Sequence, residues 1–490
     1  MVAFAEWMAS LLTAVEAVRL ELLLFAGFWF TIGAIDELAI DFAWLWLGLK
    51  GVIRPRKLDR PLATELSAPI ALYVPAWREA RVIGPMLRHV LAVWPHADLR
   101  IYAGCYVNDP ETRAAIRAAG RREDGSHDQR LRIVVNDRPG PTTKGDCLNR
   151  CFAAMRQDEE REGRRFRAVL LHDAEDMVHP QALSLIDAEL DRADFVQIPV
   201  RPERHEASRF VSGHYCDEFT DAHAREMVVR ASLGAGIPAA GVGCAFSRDA
   251  LDRIVERRGR AEGPFDPAAL TEDYELGMLI GRAGAIGPDE VGGRGGSFVR
   301  VRAHDGSLIA TRAYFPHRLD TAIRQKARWV QGIAFDGWEQ LGWSRSPLEF
   351  WMRLRDRRGP LVALVLLSAY ALMALTSILF VAEAAGLYRP ARLPPLIYWM
   401  LIFTTIAFAW RAAVRFVLVG REYGWSEGLA AVVRIPVANV IAIISARRAI
   451  GRYIVDLRGG GKVWDKTEHD RHPADAGAGL GVGRGTGRGT

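Results

Sequence analysis

The chain has 490 residues, of which 50% are hydrophobic and 25% are charged. This length suits two or three structural units, and the composition indicates a soluble domain and membrane segments in one chain. The formal net charge of +6 does not indicate nucleic-acid binding, because the chain has no zinc-finger spacing, RNP motif or basic zipper. The basic residues instead flank apolar segments, as the positive-inside rule describes.

The 5 cysteines are scattered through the middle of the chain. No two of them have CxxC spacing and their number is odd, so the sequence indicates neither a disulfide framework nor a structural zinc site. Reduced thiols fit a cytosolic location for this part of the chain.

The first apolar segment lies near the N-terminus. Leu20–Ile35, together with the preceding turns, is long enough to approach the thickness of a bilayer. Acidic residues then alternate with Trp and Leu, which predicts an interfacial amphipathic helix, with a second short span as the alternative. We therefore assign residues 1–50 to a membrane helix followed by an interfacial helix, and the basic stretch Arg54–Arg60 to the cytosolic side.

Residues 51–345 have the composition of a soluble α/β domain. Short apolar runs alternate with helical patterns over Arg81–Val93 and Asp109–Ala119, which predicts a mostly parallel sheet with right-handed crossovers. Ligands of such sheets bind beyond the carboxyl ends of the strands. The predicted strands are Ile70–Val74, Leu99–Tyr106, Leu131–Val135, Ala168–Leu171 and Asp194–Pro199.

Further apolar segments lie in residues 346–450. Pro360–Ala385 and Pro395–Trp410 predict two membrane helices. Gly428–Ser445 is interrupted by polar residues and proline; we interpret it as re-entrant, because the arginines that follow then stay cytosolic, and a full span is the alternative. Residues 451–490 are interpreted as a cytosolic tail that carries WDKTEHDRHP and has a Gly-rich, disordered end.

An acidic cluster follows the fourth predicted strand directly. The sequence AVLLHDAED places Asp173, Glu175 and Asp176 after an apolar run, and neighbouring carboxylates disfavour one another's ionisation. A divalent cation relieves that repulsion, and Mg²⁺ typically takes one or two carboxylates plus substrate phosphates. A solvated loop with helix-capping acids is the alternative interpretation.

A second acidic pair lies in the sequence LTEDYELGM. Glu272 and Asp273 are flanked by apolar residues, and a carboxylate in such surroundings can have a raised pKa and act as a base. The same residues suit the start of a helix with Thr271 as its N-cap. Both interpretations can hold together.

The sequence RQKARWVQG lies on a predicted amphipathic helix that leads to the C-terminal membrane segments. Arg328 can bind a phosphate through two hydrogen bonds, Gln325 can hydrogen-bond a sugar or phosphate, and Trp329 offers an apolar face to a sugar ring. Taken singly, each residue type is more often an ordinary surface residue.

The motifs YVPAWRE, NDPET, TKGDCLN, HDAED, TED and QKARW, in this order, resemble the family-2 processive glycosyltransferases, which include cellulose and hyaluronan synthases. TED and QxxRW match outright, whereas the DxD motif of that family appears as Asp173-Ala-Glu175 with Asp176 adjacent. HDAEDMVHP, NDPET and WDKTEHDRHP further resemble the NfrB-like group, the inner-membrane phage-adsorption protein B group. The resemblance implies a GT-A fold, which is a Rossmann-like mixed α/β sheet, and α-helical transmembrane segments.

The same resemblance implies a catalytic base and a metal site. Asp273, with Glu272 beside it, would be the base that deprotonates the acceptor. Asp173 with Glu175 or Asp176 would hold Mg²⁺ or Mn²⁺ on the donor diphosphate.

Two sides of the site are implied as well. The stretch with Gly241, Gly243 and Cys244 would border the acceptor, where glycine permits close backbone approach, although a simple turn explains it almost as well. The nucleotide side would comprise Pro75, Glu79, Lys144 and Asp109, with Asp109 reading the uracil, and the diphosphate and acceptor side would comprise Gln325, Arg328 and Trp329.

The implied function is the inverting transfer of a sugar, an N-acetylhexosamine, from a UDP-sugar to a growing exopolysaccharide at the bacterial inner membrane, with a cytosolic catalytic domain. Its partners would be the UDP-sugar donor, a glycan acceptor, the lipid bilayer and an outer-membrane export protein. Two alternatives stay open. One is a non-processive enzyme that glycosylates a lipid carrier, a class that usually lacks QxxRW, and the other is a non-catalytic membrane scaffold in phage adsorption.

Overall fold

The computed structural model describes residues 2–53, 56–63, 65–282, 284, 286–287, 290–460 and 471–474. Most of WDKTEHDRHP and the Gly-rich end therefore lie outside the described residues. The helices are α1 (Val2–Leu49), α2 (Ile83–Val93), α3 (Pro110–Ala119), α4 (Lys144–Glu162), α5 (Ala182–Glu189), α6 (Val211–Asp221), α7 (Met227–Ser232), α8 (Arg248–Arg258), α9 (Glu272–Ile280), α10 (Leu319–Val330), α11 (Gly337–Leu341), α12 (Pro347–Arg357), α13 (Gly359–Ala384), α14 (Pro395–Tyr423), α15 (Trp425–Val433) and α16 (Ile435–Leu457).

Short strands accompany these helices, and π-helical turns at Ala222–Glu226 and Gln331–Asp336 continue α6 and α10. The strands are β1 (Arg56–Lys57), β2 (Ile70–Pro75), β3 (Leu99–Tyr106), β4 (Leu131–Asn136), β5 (Ala168–Leu171), β6 (Phe195–Gln197), β7 (Val200–Glu203), β8 (Cys244–Ser247), β9 (Ile286–Gly287), β10 (Glu290–Val291), β11 (Gly296–Phe298), β12 (Val301–Arg302) and β13 (Thr311–Tyr314).

A seven-stranded mixed sheet forms the centre of the protein, in the order β11-β6-β8-β5-β2-β3-β4. Strands β2 to β5 run parallel to one another, and β8 is antiparallel to both of its neighbours, β5 and β6. The predicted α/β class with a mostly parallel sheet is confirmed. The predicted strand Asp194–Pro199 is shorter in the structure, where β6 ends at Gln197 and the next strand, β7, pairs with β13 in a separate ribbon.

Both faces of the sheet are covered by helices, which explains why its strands are nearly continuous apolar runs. On β2, Ile70, Leu72 and Val74 pack in one core with α2, whereas Ala71 and Tyr73 pack in a second core with α4. This alternation fixes the register of the parallel strands. Their carboxyl ends, where the chemical motifs begin, therefore meet at one edge of the sheet.

Within the described residues, three helices are long and apolar enough to cross a membrane: α1, α13 and α14. Helices α15 and α16 form a pair bent by 50°, which is either a broken fourth span or a re-entrant segment. The second predicted membrane helix is longer than expected, since α14 continues beyond Trp410 to Tyr423.

The predicted division of residues 1–50 into a membrane helix and a separate interfacial helix was wrong, because α1 is one continuous helix. No proline interrupts the sequence of α1, so its hydrogen-bond ladder can run unbroken. The acidic residues that suggested an interface, Asp36 and Glu37, instead form ion pairs with Arg355 and Arg358 at the junction of α12 and α13.

Arg225 is the centre of an ionic cluster that joins α1 to the soluble domain. Its guanidinium lies 2.8 Å from Glu37, 2.8 Å from Asp41 and 3.0 Å from Asp221, and its side chain is 1% exposed. A buried guanidinium in such a site is stable only while its carboxylates neutralise it, and the reverse holds for the carboxylates.

Replacing Arg225 by methionine is therefore expected to destabilise the protein by up to about 3–5 kcal/mol, because its three carboxylate partners would lose their shared buried cation and keep the neighbouring Arg411. Thermal unfolding in detergent measures the change. Arg164, whose ion pair with Asp98 is 2.9 Å long but whose side chain is 60% exposed, provides the control: Arg164→Met should leave the melting temperature nearly unchanged. Equal melting temperatures for the two variants would contradict the prediction.

Candidate active site

The acidic loop after β5 is shaped by Asp176. This carboxylate is buried, lies 2.8 Å from Nδ1 of His172 and accepts a 2.9 Å hydrogen bond from the backbone N–H of Asp173. All three acids line the adjoining cavity, but the carboxylate of Asp176 is already engaged by hydrogen bonds inside the loop. Within the predicted metal-ligand set, Asp176 therefore holds the loop, which makes Asp173 and Glu175 the candidate ligands.

Lys144 stands at the start of α4, opposite that loop. The helix begins there because Thr143, the N-cap, accepts a hydrogen bond from the backbone N–H of Asp146, which satisfies a donor of the first turn. The Lys144 ammonium lies 2.7 Å from Asp173 and 3.9 Å from Glu272. Burial acts to lower the pKa of Lys144, but the neighbouring carboxylates together raise it well above its ordinary value, so the side chain is a permanent cation.

The TED motif opens α9 and presents two acids to the same cavity. Burial raises the pKa of Glu272 to about 7 and also raises the pKa of Asp273, while Lys144 opposes both shifts. Thr271 occupies the predicted N-cap position, but its side chain makes no capping hydrogen bond. Gly241, with φ of +75°, packs against the Asp273 carboxylate, and a Cβ at this glycine would overlap it.

The QxxRW motif lies on α10, as predicted, and Gln325, Arg328 and Trp329 all line the cavity. Aromatic side chains that the sequence analysis missed surround Trp329. The ring centroids of Tyr215, Phe219 and Phe315 lie 6.1, 6.3 and 6.4 Å from its own. Tyr215 and Phe219 are four residues apart on α6, a spacing that puts them on one helix face but does not identify what that face contacts.

These groups open into one cavity of about 310 Å³. Charged groups of three separate elements, the loop after β5, the start of α4 and the start of α9, meet in it, and an aromatic wall from α6 and α10 closes the opposite side. The residues predicted from sequence that line it are Pro75, Glu79, Lys144, Asp173, Glu175, Asp176, Glu272, Asp273, Gln325, Arg328 and Trp329.

Besides Gly241, which packs against Asp273, three predicted site residues do not line the cavity. Cys244 begins β8 inside the sheet, and Gly243 packs against Ile198 and Thr311. The wall expected from them is formed by Ala240 and Val242. The reason is that the chain turns into the sheet at this point, so that successive residues face opposite ways.

Asp109 is the third. It caps α3, and its two carboxylate oxygens accept hydrogen bonds from the backbone N–H groups of Arg78, at 2.6 Å, and Thr112, at 3.3 Å. Arg78 has φ of +55° and is the one non-glycine residue with positive φ in the described part of the chain, a costly conformation. Asp109 therefore stabilises the turn from which Trp77 and Glu79 reach the cavity.

His472, which sequence reasoning also missed, brings the C-terminal tail to the acidic loop. Its imidazole is fully buried; Nε2 lies 2.9 Å from the carbonyl oxygen of Asp176, and Nδ1 accepts a hydrogen bond from the backbone N–H of Ala474. Since Nδ1 is an acceptor, Nε2 carries the proton and donates it to the carbonyl. The tail thus supports the loop that carries Asp173.

The charge of the acidic loop fits a divalent cation. Burial, and then the charges of Asp173, Glu79 and Asp176, raise the pKa of Glu175 well above its ordinary value, and oxygen ligands crowded in this way suit Mg²⁺ or Mn²⁺. In the described part of the chain, no three His, Cys, Asp or Glu side chains form a metal site by themselves. The protein would then supply Asp173 and Glu175, and substrate phosphates the remaining ligands.

Comparison with known proteins assigns the soluble domain. The family model described as "Glycosyltransferase like family 2" matches residues 68–332. The chain belongs to glycosyltransferase family 2. Its catalytic domain is a glycosyltransferase domain, and the predicted GT-A fold of that domain is confirmed.

Two curated relatives are similar along most of the chain. Bacteriophage adsorption protein B of Escherichia coli (strain K12) and bacteriophage N4 adsorption protein B of Escherichia coli O157:H7 are each 32% identical over 489 residues. The matched region is 95% of this family-2 glycosyltransferase and 63% of each relative, so the chain spans less than two thirds of their length. The resemblance to the phage-adsorption protein B group is confirmed.

Solved structures with a similar arrangement include two glycosyltransferases. The mannosyltransferase PcManGT from Pyrobaculum calidifontis, in complex with GDP-Man and Mn²⁺, has 16% identity and a TM-score of 0.49 over 89% of this chain and 99% of its own. The glucosyl-3-phosphoglycerate synthase from Mycobacterium tuberculosis, in complex with Mn²⁺, UDP and glucosyl-3-phosphoglycerate, has 17% identity and a TM-score of 0.36 over 57% and 82%.

Proposed function

We propose that this protein is a membrane-embedded inverting glycosyltransferase that moves an N-acetylhexosamine from a UDP-sugar to a growing exopolysaccharide and couples elongation to export. The single observation that carries the proposal is the shared cavity of Lys144, Asp173, Asp273 and Arg328 beside an aromatic wall. A cation, a base, carboxylates for a metal and a sugar-stacking surface in one space are the parts that transfer from a nucleotide diphosphate requires.

The donor is proposed to bind along the carboxyl edge of the sheet. Pro75 and Glu79 would contact the nucleotide, and Asp109 would act through the backbone of Arg78. The diphosphate would lie between Lys144 and Arg328, whose positive charges complement it. A divalent cation held by Asp173 and Glu175, when bound, supplies further positive charge to the leaving diphosphate.

Asp273 is proposed as the base. Its carboxylate takes the proton of the acceptor hydroxyl while the hydroxyl oxygen forms a bond to the anomeric carbon and the bond from that carbon to the diphosphate oxygen breaks. The configuration inverts because attack and departure occur on opposite faces of the sugar. Trp329 and the aromatic wall would hold the acceptor sugar by its apolar face, and Gln325 would hydrogen-bond donor or acceptor.

The apolar helices support a location of this chemistry at a bilayer. We propose that residues 51–345 are the cytosolic catalytic domain, that residues 1–50 and 346–450 anchor it in the bacterial inner membrane, and that residues 451–490 are a cytosolic tail. Support comes from the three apolar helices α1, α13 and α14 and from the cluster of arginines that precedes α13 in the sequence, a charge bias typical of cytosolic flanks. An outer-membrane export partner would receive the product.

The test uses the purified full chain in nanodiscs of phosphatidylethanolamine and phosphatidylglycerol. Thermal shift against UDP- and GDP-sugars with Mg²⁺ or Mn²⁺ identifies the donor, since a ligand of the native state raises the melting temperature. Radiolabelled transfer with that donor then gives the product length. A ladder of long products supports the proposal, whereas a single sugar on an organic-extractable lipid favours a lipid-carrier enzyme and no transfer favours a scaffold.

The contact between the tail and the acidic loop gives a further prediction. Replacing His472 by alanine removes the hydrogen bond to the Asp176 carbonyl and is expected to weaken Mn²⁺ binding in the presence of UDP by about tenfold, as loss of a group that orients metal ligands does. Isothermal titration measures the affinity. His472→Gln, whose amide can donate to the same carbonyl, should retain most of it, and an alanine variant with unchanged affinity would contradict the prediction.

A further inference from the structure

Helix α12 lies between the membrane helices and the TED motif. It leads through Arg358 into α13, and its arginine Arg355 lies 2.9 Å from Glu37 of α1 and 3.2 Å from Glu226. Arg358 also pairs with Asp36 and Glu37. The C-terminal end of α12 is therefore held by charges of the first membrane helix on one side.

Asp356, which directly follows Arg355, points the other way, toward the catalytic domain. Its carboxylate accepts two hydrogen bonds from Arg230, at 2.8 and 3.1 Å, and one from the hydroxyl of Tyr274, at 3.1 Å. Arg230 is fully buried and Tyr274 is 3% exposed. Fork-like pairing of a guanidinium with a carboxylate restricts both groups to one geometry.

Tyr274 is the residue directly after the proposed base. Its backbone N–H donates a 2.8 Å hydrogen bond to Oδ1 of Asp273, and the residue lines the cavity. The tyrosine is thus fixed at two points, by Asp356 through its hydroxyl and by Asp273 through its backbone. A shift of the hydroxyl would turn the first residues of α9 and move the carboxylate of Asp273.

A second acid of α12 holds the opposite wall. Glu349, which is fully buried, accepts a hydrogen bond from the backbone N–H of Gly236, and Arg230 donates to the carbonyl of the same glycine. Ala239, three residues further on, lines the cavity. This loop packs closely on α9, since a Cβ at Gly277 would lie 2.5 Å from the backbone nitrogen of Ala239.

Stability alone does not explain why Asp356 and Arg230 are largely buried together. A buried ion pair contributes little compared with apolar residues of the same size, because both charges lose their hydration. The ion pair does impose one arrangement on the groups that hydrogen-bond to it. Here one of those groups is the hydroxyl of Tyr274, the residue next to the proposed base.

We infer that Asp356, acting through the hydroxyl of Tyr274, is a positioning residue for the base Asp273, and that α12 ties this geometry to the first membrane helix. The inference rests on the proposed catalytic function. Asp356 does not line the cavity, so its effect reaches the reaction through the hydroxyl, the backbone of Tyr274 and the carboxylate of Asp273 in turn.

The test compares Tyr274→Phe, Asp356→Asn and the double variant in the full chain in nanodiscs. A displacement of the reacting groups by about 1 Å can cost roughly 10²-fold in rate, so Asp356→Asn should lower kcat by up to that factor and Tyr274→Phe by about tenfold. The KM for the UDP-sugar should stay within about twofold in each, because the donor-binding groups are untouched. The double variant should be no slower than Asp356→Asn, since both changes act through the same contact between the hydroxyl of Tyr274 and residue 356.

A matched control is available in Asp187. It is a buried acid that accepts from one arginine, Arg167 at 2.8 Å, and one hydroxyl, Ser67 at 2.8 Å, but it lies away from the cavity. Asp187→Asn should lower the melting temperature as Asp356→Asn does and leave kcat unchanged.

The possible outcomes separate the two proposals. Absence of transfer by the wild type would overturn the proposed function. Transfer by the wild type with normal kcat in Tyr274→Phe, or with additive losses in the double variant, would overturn the positioning role alone. Tyr274→Phe removes a single hydroxyl, so it decides the question even where Asp356→Asn fails to fold.

Discussion

Replacement of Asp273 by asparagine is expected to lower turnover by about 10²–10⁴-fold, the usual contribution of a general base. Asparagine has nearly the same shape, and its oxygen can still accept the hydrogen bond from the backbone N–H of Tyr274. It also fits against Gly241 as the aspartate does. It cannot take a proton, so the acceptor hydroxyl would have to attack without assistance.

The measurement is kcat for radiolabelled sugar transfer, with thermal shift by the donor as a second reading. Donor binding should be retained, because Lys144, Asp173 and Arg328 are unchanged. Glu275→Gln is the matched control: Glu275 lies in the same helical turn, but it pairs with Arg258 at 2.6 Å and does not line the cavity. The base assignment is wrong if Asp273→Asn turns over as fast as this control.

The positions of the acidic loop after β5 and of the turn after β2 could be predicted because each follows a strand that is itself easy to recognise. β3 and β5 have the predicted bounds, since apolar runs bounded by polar residues are typical of strands buried on both faces. Parallel neighbours end at the same edge, so Asp173 after β5 and the turn after β2 had to lie close together. The convergence of Lys144 with Asp173 follows from this rule of sheets.

The local sequence pattern did not predict which side chains face the cavity where adjacent residues point in different directions. Gly241, Gly243 and Cys244 form one stretch in the sequence, yet only the neighbours Ala240 and Val242 reach the cavity. The same limit applies to α1, where acidic residues suggested a water interface. Their partners are arginines more than 180 residues away, and no local periodicity reports such a pairing.

Distance along the chain also hid the contribution of the tail. His472 and Asp176 are separated by 296 residues, and the histidine stands in a motif that the sequence analysis could assign only by resemblance. Its role depends on burial and on one carbonyl, neither of which is visible in a sequence. The aromatic wall around Trp329 was missed for the same reason, because its members come from α6, α10 and the segment after β13.

Replacement of Lys144 by methionine should lower turnover by about 10²–10³-fold, the loss expected for removal of a preorganised group at a developing charge. It should also move the acidic limb of the pH–rate profile to higher pH. Burial raises the pKa of Glu272 to about 7 and raises the pKa of Asp273, and Lys144 acts against both shifts. Without its charge both pKa values rise further, so the base stays protonated, and inactive, to a higher pH.

The same change should make stability depend more strongly on pH. A carboxyl whose pKa is higher in the folded than in the unfolded state binds more protons when folded, so the free energy of unfolding falls as pH rises. For Glu272 the free energy of unfolding falls between the ordinary pKa of 4.5 and the raised pKa of about 7. In Lys144→Met this fall in the free energy of unfolding should be larger and should extend to higher pH. Above neutral pH, the loss of stability relative to the wild type should approach the roughly 3–5 kcal/mol of a broken buried ion pair.

Lys144→Arg separates charge from shape. Arginine keeps the cation between Asp173 and Glu272, so its pH–rate limb should stay with the wild type even if the altered length lowers kcat. Melting temperatures of the three proteins at about pH 6 and about pH 8 then test the linkage, because the methionine variant should lose more stability between these pH values than the wild type or the arginine variant. If the methionine variant keeps the wild-type limb and loses equal stability at both pH values, Lys144 does not control the ionisation of the TED acids.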